Sequence, residues 1–310
     1  MFRTSSASLD GVGMLNLEVK FPALSELAKL NKCSLETLAV SAKIHPGYIT
    51  FSDACQIARD QHGSWSHADT KDYLGTLDLF LAKHPMSTKT RRTFWRRLYA
   101  GSGSQFLDII CEAAWGLYFV HLDINFIYEA PLNPRRRGGR NADFRIDRPE
   151  GPFWLDVVSG EVERPDQPRR YHSFAGSAFS PYSRETTVAI ASQKAAAKYR
   201  AKFESALHTG SLRGDSVGVL LGFSKMEKQL LPGLMVDLLT HNPAPPPSGL
   251  FGHGHPGLIV AWGFTLARAK AGTHLVPSLI FPWTHPAQVN DPFLNSIRPD
   301  LIFIQERILS

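Results

Sequence analysis

The chain has 310 residues, a hydrophobic fraction of 43% and a formal net charge of +6 with pI near 9.2. This is enough chain and enough apolar material for one large or two ordinary globular domains. It has no run of about 18 apolar residues, so no membrane span is expected. The opening "MFRTSSASLDGVGML" lacks a basic start followed by an apolar stretch, so no secretory signal is expected. Three unpatterned cysteines, Cys33, Cys55 and Cys111, neither fill a zinc cage nor suggest a disulfide framework, and point to a reducing cytoplasm.

Residues 22 to 84 read as helical. "PALSELAKLNK" begins with Pro22 and repeats apolar residues at helical spacing through Leu24, Leu27 and Ala28. "SLETLAVSAK" opens with Ser34 as an N-cap three residues before Thr37. His45-Pro46-Gly47 reads as a turn, and "FSDACQIARDQ" and "TKDYLGTLDLFLAKH" as amphipathic helices. The stretch "SLETLAVSAKIHPGYIT", with Leu35, Leu38, Ala39, Ile44 and Ile49 around a helix breaker, resembles the helix-turn-helix of small phage-repressor-like DNA-binding domains. The plainer alternative is a generic helical hairpin.

"MSTKTRRTFWRRLYAGSGS" carries a basic cluster (Lys89, Arg91, Arg92, Arg96, Arg97), and Gly101 and Gly103 mark a boundary. The expected division is a helical domain over 1–100, with helix-turn-helix DNA binding open, and an α/β domain over 101–310. Trp95, set between arginines, suits either phosphate gripping with base stacking or a buried aromatic stripe. "SQFLDIICEAAWGLYFVHL" is a long helix with Phe106, Ile109, Ile110, Ala113 and Leu117 inward and one acid, Glu112, in an apolar stretch. A buried carboxylate needs a partner; the alternative is exposure at the helix edge.

"NFIYEAP", "NADFRI" and "FWLDVVS" read as strands, separated by the turns "RRRGGR" and "DRPEGP". Asp143 and Asp156, thirteen positions apart, fall in the second and third of these. Arg135, Arg136, Arg137 and Arg140 precede Asp143, and Arg164, Arg169 and Arg170 follow Asp156. Basic clusters flanking a carboxylate pair favour an acidic partner, nucleic acid first. "TTVAIASQKAAAKYRAKFESALH" is a second long helix, and "DSVGVLLGF" an apolar strand. Helix, three strands, helix, strand indicates an α/β fold. After the proline-rich loop 241–249, "GLIVAWGF", "HLVPSLIFPW" and "DLIFIQERI" look like further strands, and His253 and His255 sit in a Gly-rich loop with no acid close by.

This order, with an acid in each of two adjacent strands, resembles the PD-(D/E)XK nuclease superfamily over roughly residues 104–224. The resemblance implies a central mixed sheet flanked by helices and a Mg2+-dependent endonuclease, with Mn2+ as a substitute. Asp143 and Asp156 would ligate the metal, and Glu112 on the first helix would assist. The lysine expected two residues after the second acid is replaced by Val158. In variants of the family it has moved to the following helix, where Lys194 and Lys198, four apart, share a face. The implied substrate is DNA, with RNA as the alternative, held by Arg135, Arg136, Arg137, Arg140, Arg91, Arg92 and Arg96. Restriction, defence or mobile-element biology would suit such an enzyme, and homodimers are common in the family. The competing expectations are a binding protein on the same fold that has lost catalysis, with Val158 as its mark, and a toxin-like effector that cleaves RNA.

Overall fold

The computed structural model describes residues 16–42, 49–60, 65–100, 103–133, 140–159, 197–198, 200–204, 206, 212, 215–223, 259–269 and 272–282. Among these, helices α1 (Leu17–Lys20), α2 (Pro22–Leu30), α3 (Leu35–Ser41), α4 (Phe51–Asp60), α5 (Trp65–Lys83), α6 (Thr88–Ala100) and α7 (Gly103–His121) precede the sheet. The helix signals act as expected. Pro22 stands in the first turn of α2, where its missing N–H costs nothing, and the Ser34 hydroxyl accepts from the Thr37 N–H at 3.0 Å at the start of α3. The Ser87 hydroxyl accepts from the Thr90 N–H at 3.1 Å at the start of α6. The turn 45–47, the histidines 253 and 255, the loop 241–249 and the strand expected at 300–308 lie outside the described residues.

Among the described residues, six strands form one sheet in chain order: β1 (Ile127–Pro131), β2 (Asn141–Ile146), β3 (Phe153–Ser159), β4 (Ser216–Phe223), β5 (Ile259–Arg268) and β6 (Leu275–Pro282). The mixed helix-and-sheet class is as expected. β1, β2 and β3 form an antiparallel meander, β3–β4 and β4–β5 are parallel, and β6 returns antiparallel to β5. All seven residues of β3 are buried, which is why "FWLDVVS" is apolar almost throughout rather than alternating. Phe153, Leu155 and Val157 join the main core on one face, while the alternation of a strand turns Trp154, Asp156 and Val158 to the other.

Helix α7 covers the first face. Phe106, Ile109, Ile110, Ala113 and Leu117, inward by spacing, are buried, but residues 111 to 119 are buried all round, so the covered surface is wider than one stripe. Phe119 meets Phe144 edge-on at 5.4 Å between centroids, and Trp115 meets Phe264 at 5.4 Å. Trp95 is buried against Phe51, with Tyr99 stacked on it, so its indole belongs to the core.

The buried cluster runs without a break from Leu17 through α7 to Leu275, across the expected boundary near residue 100. The tie between helices and sheet is polar as well as apolar. Leu275 N–H donates to the Thr76 hydroxyl at 2.8 Å, and Arg268 pairs with Asp72 at 2.7 Å. The closest approach is at Gly75 on α5, where a Cβ would lie 2.1 Å from the Thr273 carbonyl oxygen. Because the obstacle is backbone, it cannot swing aside. Gly75→Ala is therefore expected to destabilise the protein by about 1–3 kcal/mol, read as a lower urea midpoint at constant m-value. An unchanged midpoint would mean that α5 and the turn before β6 move apart at no cost. No described helix is long and apolar enough to cross a membrane.

Candidate active site

The site forms where the strand ladder opens. β1 and β2 pair through Tyr128–Phe144 and Ala130–Ala142, which steps over Glu129 and Asp143. β2 and β3 pair from Ile146–Phe153 to Phe144–Leu155 and no further, although the same register continued one step would set Asp143 opposite Asp156. Glu129 takes a left-handed backbone, φ 54°. For a residue with a Cβ this conformation costs about 1–3 kcal/mol and is held only where the surroundings enforce it. In the fork, Asp143 Oδ2 takes the place of a strand carbonyl and accepts from the Val157 N–H at 2.7 Å. Both aspartates are buried, at 2% and 0% exposure.

Two lysines from the segment before β4 reach this fork. Lys198 Nζ lies 3.4 Å from Asp156 Oδ2. Lys202 Nζ donates to Asp156 Oδ1 at 2.9 Å and to the Asn141 carbonyl at 2.7 Å, and stands 3.8 Å from Asp143 Oδ1. Lys202 belongs to a π-helical turn, Arg200–Glu204, in the stretch expected to be a regular α-helix. Phe203 of this turn is fully buried. Lys194 lies outside the described residues. Val158, at the position where the resemblance expects lysine, is buried and apolar.

A second layer of charge sits beside Asp143. Glu112 is fully buried, so exposure at a helix edge is ruled out, and its partner is Arg97 of α6. Arg97 Nη1 donates to Glu112 Oε2 at 3.0 Å, its Nη2 to Glu112 Oε1, and Nη1 also to Glu129 Oε1. The Tyr128 hydroxyl donates to Glu112 Oε2 at 2.7 Å, and the Asn141 amide to Glu129 Oε2 at 3.0 Å. One oxygen each from Glu112, Glu129 and Asp143 lie within 4.8 Å of one another. On the same helix as Glu112, Asp108 accepts from the Ser159 N–H at 2.6 Å.

Burial and the neighbouring Asp143 push the Asp156 carboxyl up to about 7, against the pull of Lys198 and Lys202. For Asp143 burial acts upward too, but Lys202, Lys198 and Arg97 together outweigh it and hold the group below the usual carboxylate value. Burial pushes Glu112 up, and Arg97 opposes it. Burial would lower both lysines; Asp156 and Asp143 overcome it and keep both raised and charged.

Does this set suit a divalent metal? Among the described residues the oxygens close enough to share one ion are those of Glu112, Glu129 and Asp143, hard donors of the kind Mg2+ and Mn2+ take, while Asp156 Oδ2 accepts no hydrogen bond and has the Lys198 ammonium 3.4 Å away. Arg97 offsets one of the two charges of Glu112 and Glu129, and Lys202 lies against both Asp143 and Asp156, so an ion held by that pair would have to share the site with its ammonium. An ion held by Asp156 would need its anion, so protons would compete with it below about pH 7. Mg2+ affinity measured by calorimetry is expected to fall roughly tenfold per pH unit below that value and to level off above it. A flat profile from pH 6 to 8 would place the ligand elsewhere.

Of the residues singled out in the sequence, Asp143, Asp156 and Lys198 converge, with Glu112 alongside. Arg140 is exposed next to β2, and Arg135, Arg136 and Arg137 lie outside the described residues. Arg92 and Arg96 are exposed on α6, while Arg91 is half-buried. The residues missed are Lys202, Arg97 and Glu129. Lys202 continues the four-residue spacing of Lys194 and Lys198, a signal present in the sequence. Arg97 is hidden among four other cations, and nothing local marks it as the one that turns inward. Comparison with protein-family models, curated proteins and solved structures returned no match for this chain.

Proposed function

We propose that the protein is a metal-dependent phosphodiesterase of PD-(D/E)XK type that cuts nucleic acid, DNA first and RNA as the alternative. The observation that carries this reading is the convergence of Lys198 and Lys202 on Asp156 in the fork beside Asp143. That is the acid, acid and migrated-lysine set for which the chemistry calls, brought together from three separate segments.

Asp143 and Asp156 would hold the metal, with Glu112 next to them. A bound Mg2+ supplies charge neutralisation at the phosphate and lowers the pKa of a coordinated water. Lys198 and Lys202 are held firmly protonated by the two aspartates, so neither takes a proton from water; their part is to orient it and to offset charge on the attacked phosphate. Arg97 offsets one of the two negative charges of Glu112 and Glu129, which lessens their repulsion of an approaching polyanion. The helix-turn-helix is not used in this reading; Ser52, Gln56, Ile57, Arg59 and Asp60 of α4 are half-buried and its other residues buried.

A second reading, a binding protein that has lost catalysis, has its own support. The Lys202 ammonium lies against both aspartates, within 2.9 and 3.8 Å, where it can serve as their permanent counter-ion. One experiment separates the two. Supercoiled plasmid, circular single-stranded DNA and labelled RNA are incubated with Mg2+, Mn2+ or chelator. Cutting that needs metal supports the phosphodiesterase; no cutting of any of the three, with binding intact in chelator, supports the binder.

A further inference from the structure

Helix α6 carries five cations and no acid. Its packing sorts them. Phe94, Trp95 and Leu98 are buried and Arg97 turns to Glu112, whereas Lys89, Arg92, Arg96 and Tyr99 are exposed. Steps of three, four and three residues put those four on one stripe of the helix, opposite the buried face. Lys89, Arg92 and Arg96 form no ion pair among the described residues. Tyr99 is 57% exposed, and its ring lies parallel to that of Trp95, at 3° between planes and 6.0 Å between centroids. A large aromatic held flat by a buried indole beneath it, at the end of a row of unpaired cations, is a platform with charge leading up to it. Arg97, on the same helix, turns the other way and binds the buried Glu112.

We propose that this stripe binds an unpaired strand of nucleic acid, with Lys89, Arg92 and Arg96 on successive phosphates and a base stacked on Tyr99. The inference rests on the phosphodiesterase reading and sharpens it to substrates with unpaired bases. The occupant follows from complementarity. Cations alone would take any polyanion, duplex included, but a duplex keeps its base faces covered, and only an unpaired strand offers one to Tyr99. DNA and RNA strands share this chemistry.

The test uses fluorescence anisotropy in chelator, so that nothing is cut, with 12-nucleotide DNA and RNA strands and with the same sequences as duplexes. The full chain is expected to bind the strands more tightly than the duplexes. Tyr99→Ala should weaken strand binding about tenfold, within the range for removal of one base–aromatic stack, and leave duplex binding within about twofold, while Tyr99→Phe keeps strand affinity. Arg92→Gln with Arg96→Gln should reduce the salt dependence of strand binding by about 1.4, at about 0.7 for each phosphate no longer neutralised. Equal weakening on strand and duplex, or none in Tyr99→Ala, would overturn the proposal; so would an unchanged salt slope. The DNA and RNA arms show which sugar the stripe accepts. Failure of cleavage with Tyr99-dependent binding intact removes the phosphodiesterase reading and leaves this one. Cleavage with strand affinity indifferent to Tyr99 does the reverse.

Discussion

Asp156→Asn is expected to abolish metal-dependent cleavage, slowing it by at least about 10^3-fold, while the protein stays folded. Asparagine has the shape of aspartate, so Lys202 can keep its 2.9 Å contact through the amide oxygen. What disappears is the charge. Asp156 contributes the buried oxygen that has no hydrogen-bond partner and lies 3.4 Å from Lys198, and without the anion Lys198 loses that counter-charge and the proposed metal loses a ligand. Loss of about 4 kcal/mol of charge stabilisation at the phosphate corresponds to about 10^3 in rate. Stability is a balance of two effects: a carboxyl that burial pushes up to about 7 gains from becoming neutral, while Lys198 and Lys202 lose one of their two counter-charges. Single-turnover cleavage, Mg2+ calorimetry and urea unfolding measure the three effects. A variant that still cuts at the original rate would remove Asp156 from the chemistry.

Arg97→Met is expected to be the most destabilising single change in this region, at about 3–5 kcal/mol. Glu112 is fully buried on α7, and the Arg97 guanidinium bonds both of its oxygens. Removal leaves Glu112 and Glu129 close together near Asp143 with no guanidinium between them. Glu112→Gln alone should cost less, since Tyr128 can still donate to the amide oxygen. The pair Arg97→Met with Glu112→Gln should recover much of the stability, because no buried carboxylate at position 112 is then left uncompensated. Additive urea midpoints, with no recovery in the double variant, would mean that Arg97 acts by packing its methylene stem.

The single core makes this more than a local effect. Arg97 comes from α6, Glu112 from α7 and Glu129 from β1, so one ion-pair network joins the helical part of the chain to the sheet. Asp72 with Arg268 and Thr76 with Leu275 do the same at the opposite edge of the sheet, where β5 and β6 lie. Changes on α5 or α6 are thereby transmitted to the elements that carry the carboxylates.

By itself the sequence determined the elements and the chemical types. Periodicity placed α7 and its inward residues, β-branched and aromatic runs placed β2 to β6, and Ser34 and Pro22 marked helix starts, because each of these depends on neighbours within a few residues. It also singled out Glu112, since an acid in an apolar run carries a burial cost that demands a partner, and Asp143 and Asp156 by their place in two adjacent strands. Which partner answers was decided only in three dimensions. Lys202 does not stand out beside Lys194 and Lys198, because spacing shows a shared face and not how far along it the sheet lies. Arg97 is indistinguishable from Arg96 until packing of Phe94, Trp95 and Leu98 fixes the rotation of α6, turning one arginine to Glu112 and leaving the other in solvent. The opening of the ladder at Glu129 and Asp143 is likewise invisible, because strand register is set by partners that are distant in sequence, and no local signal records where two strands part.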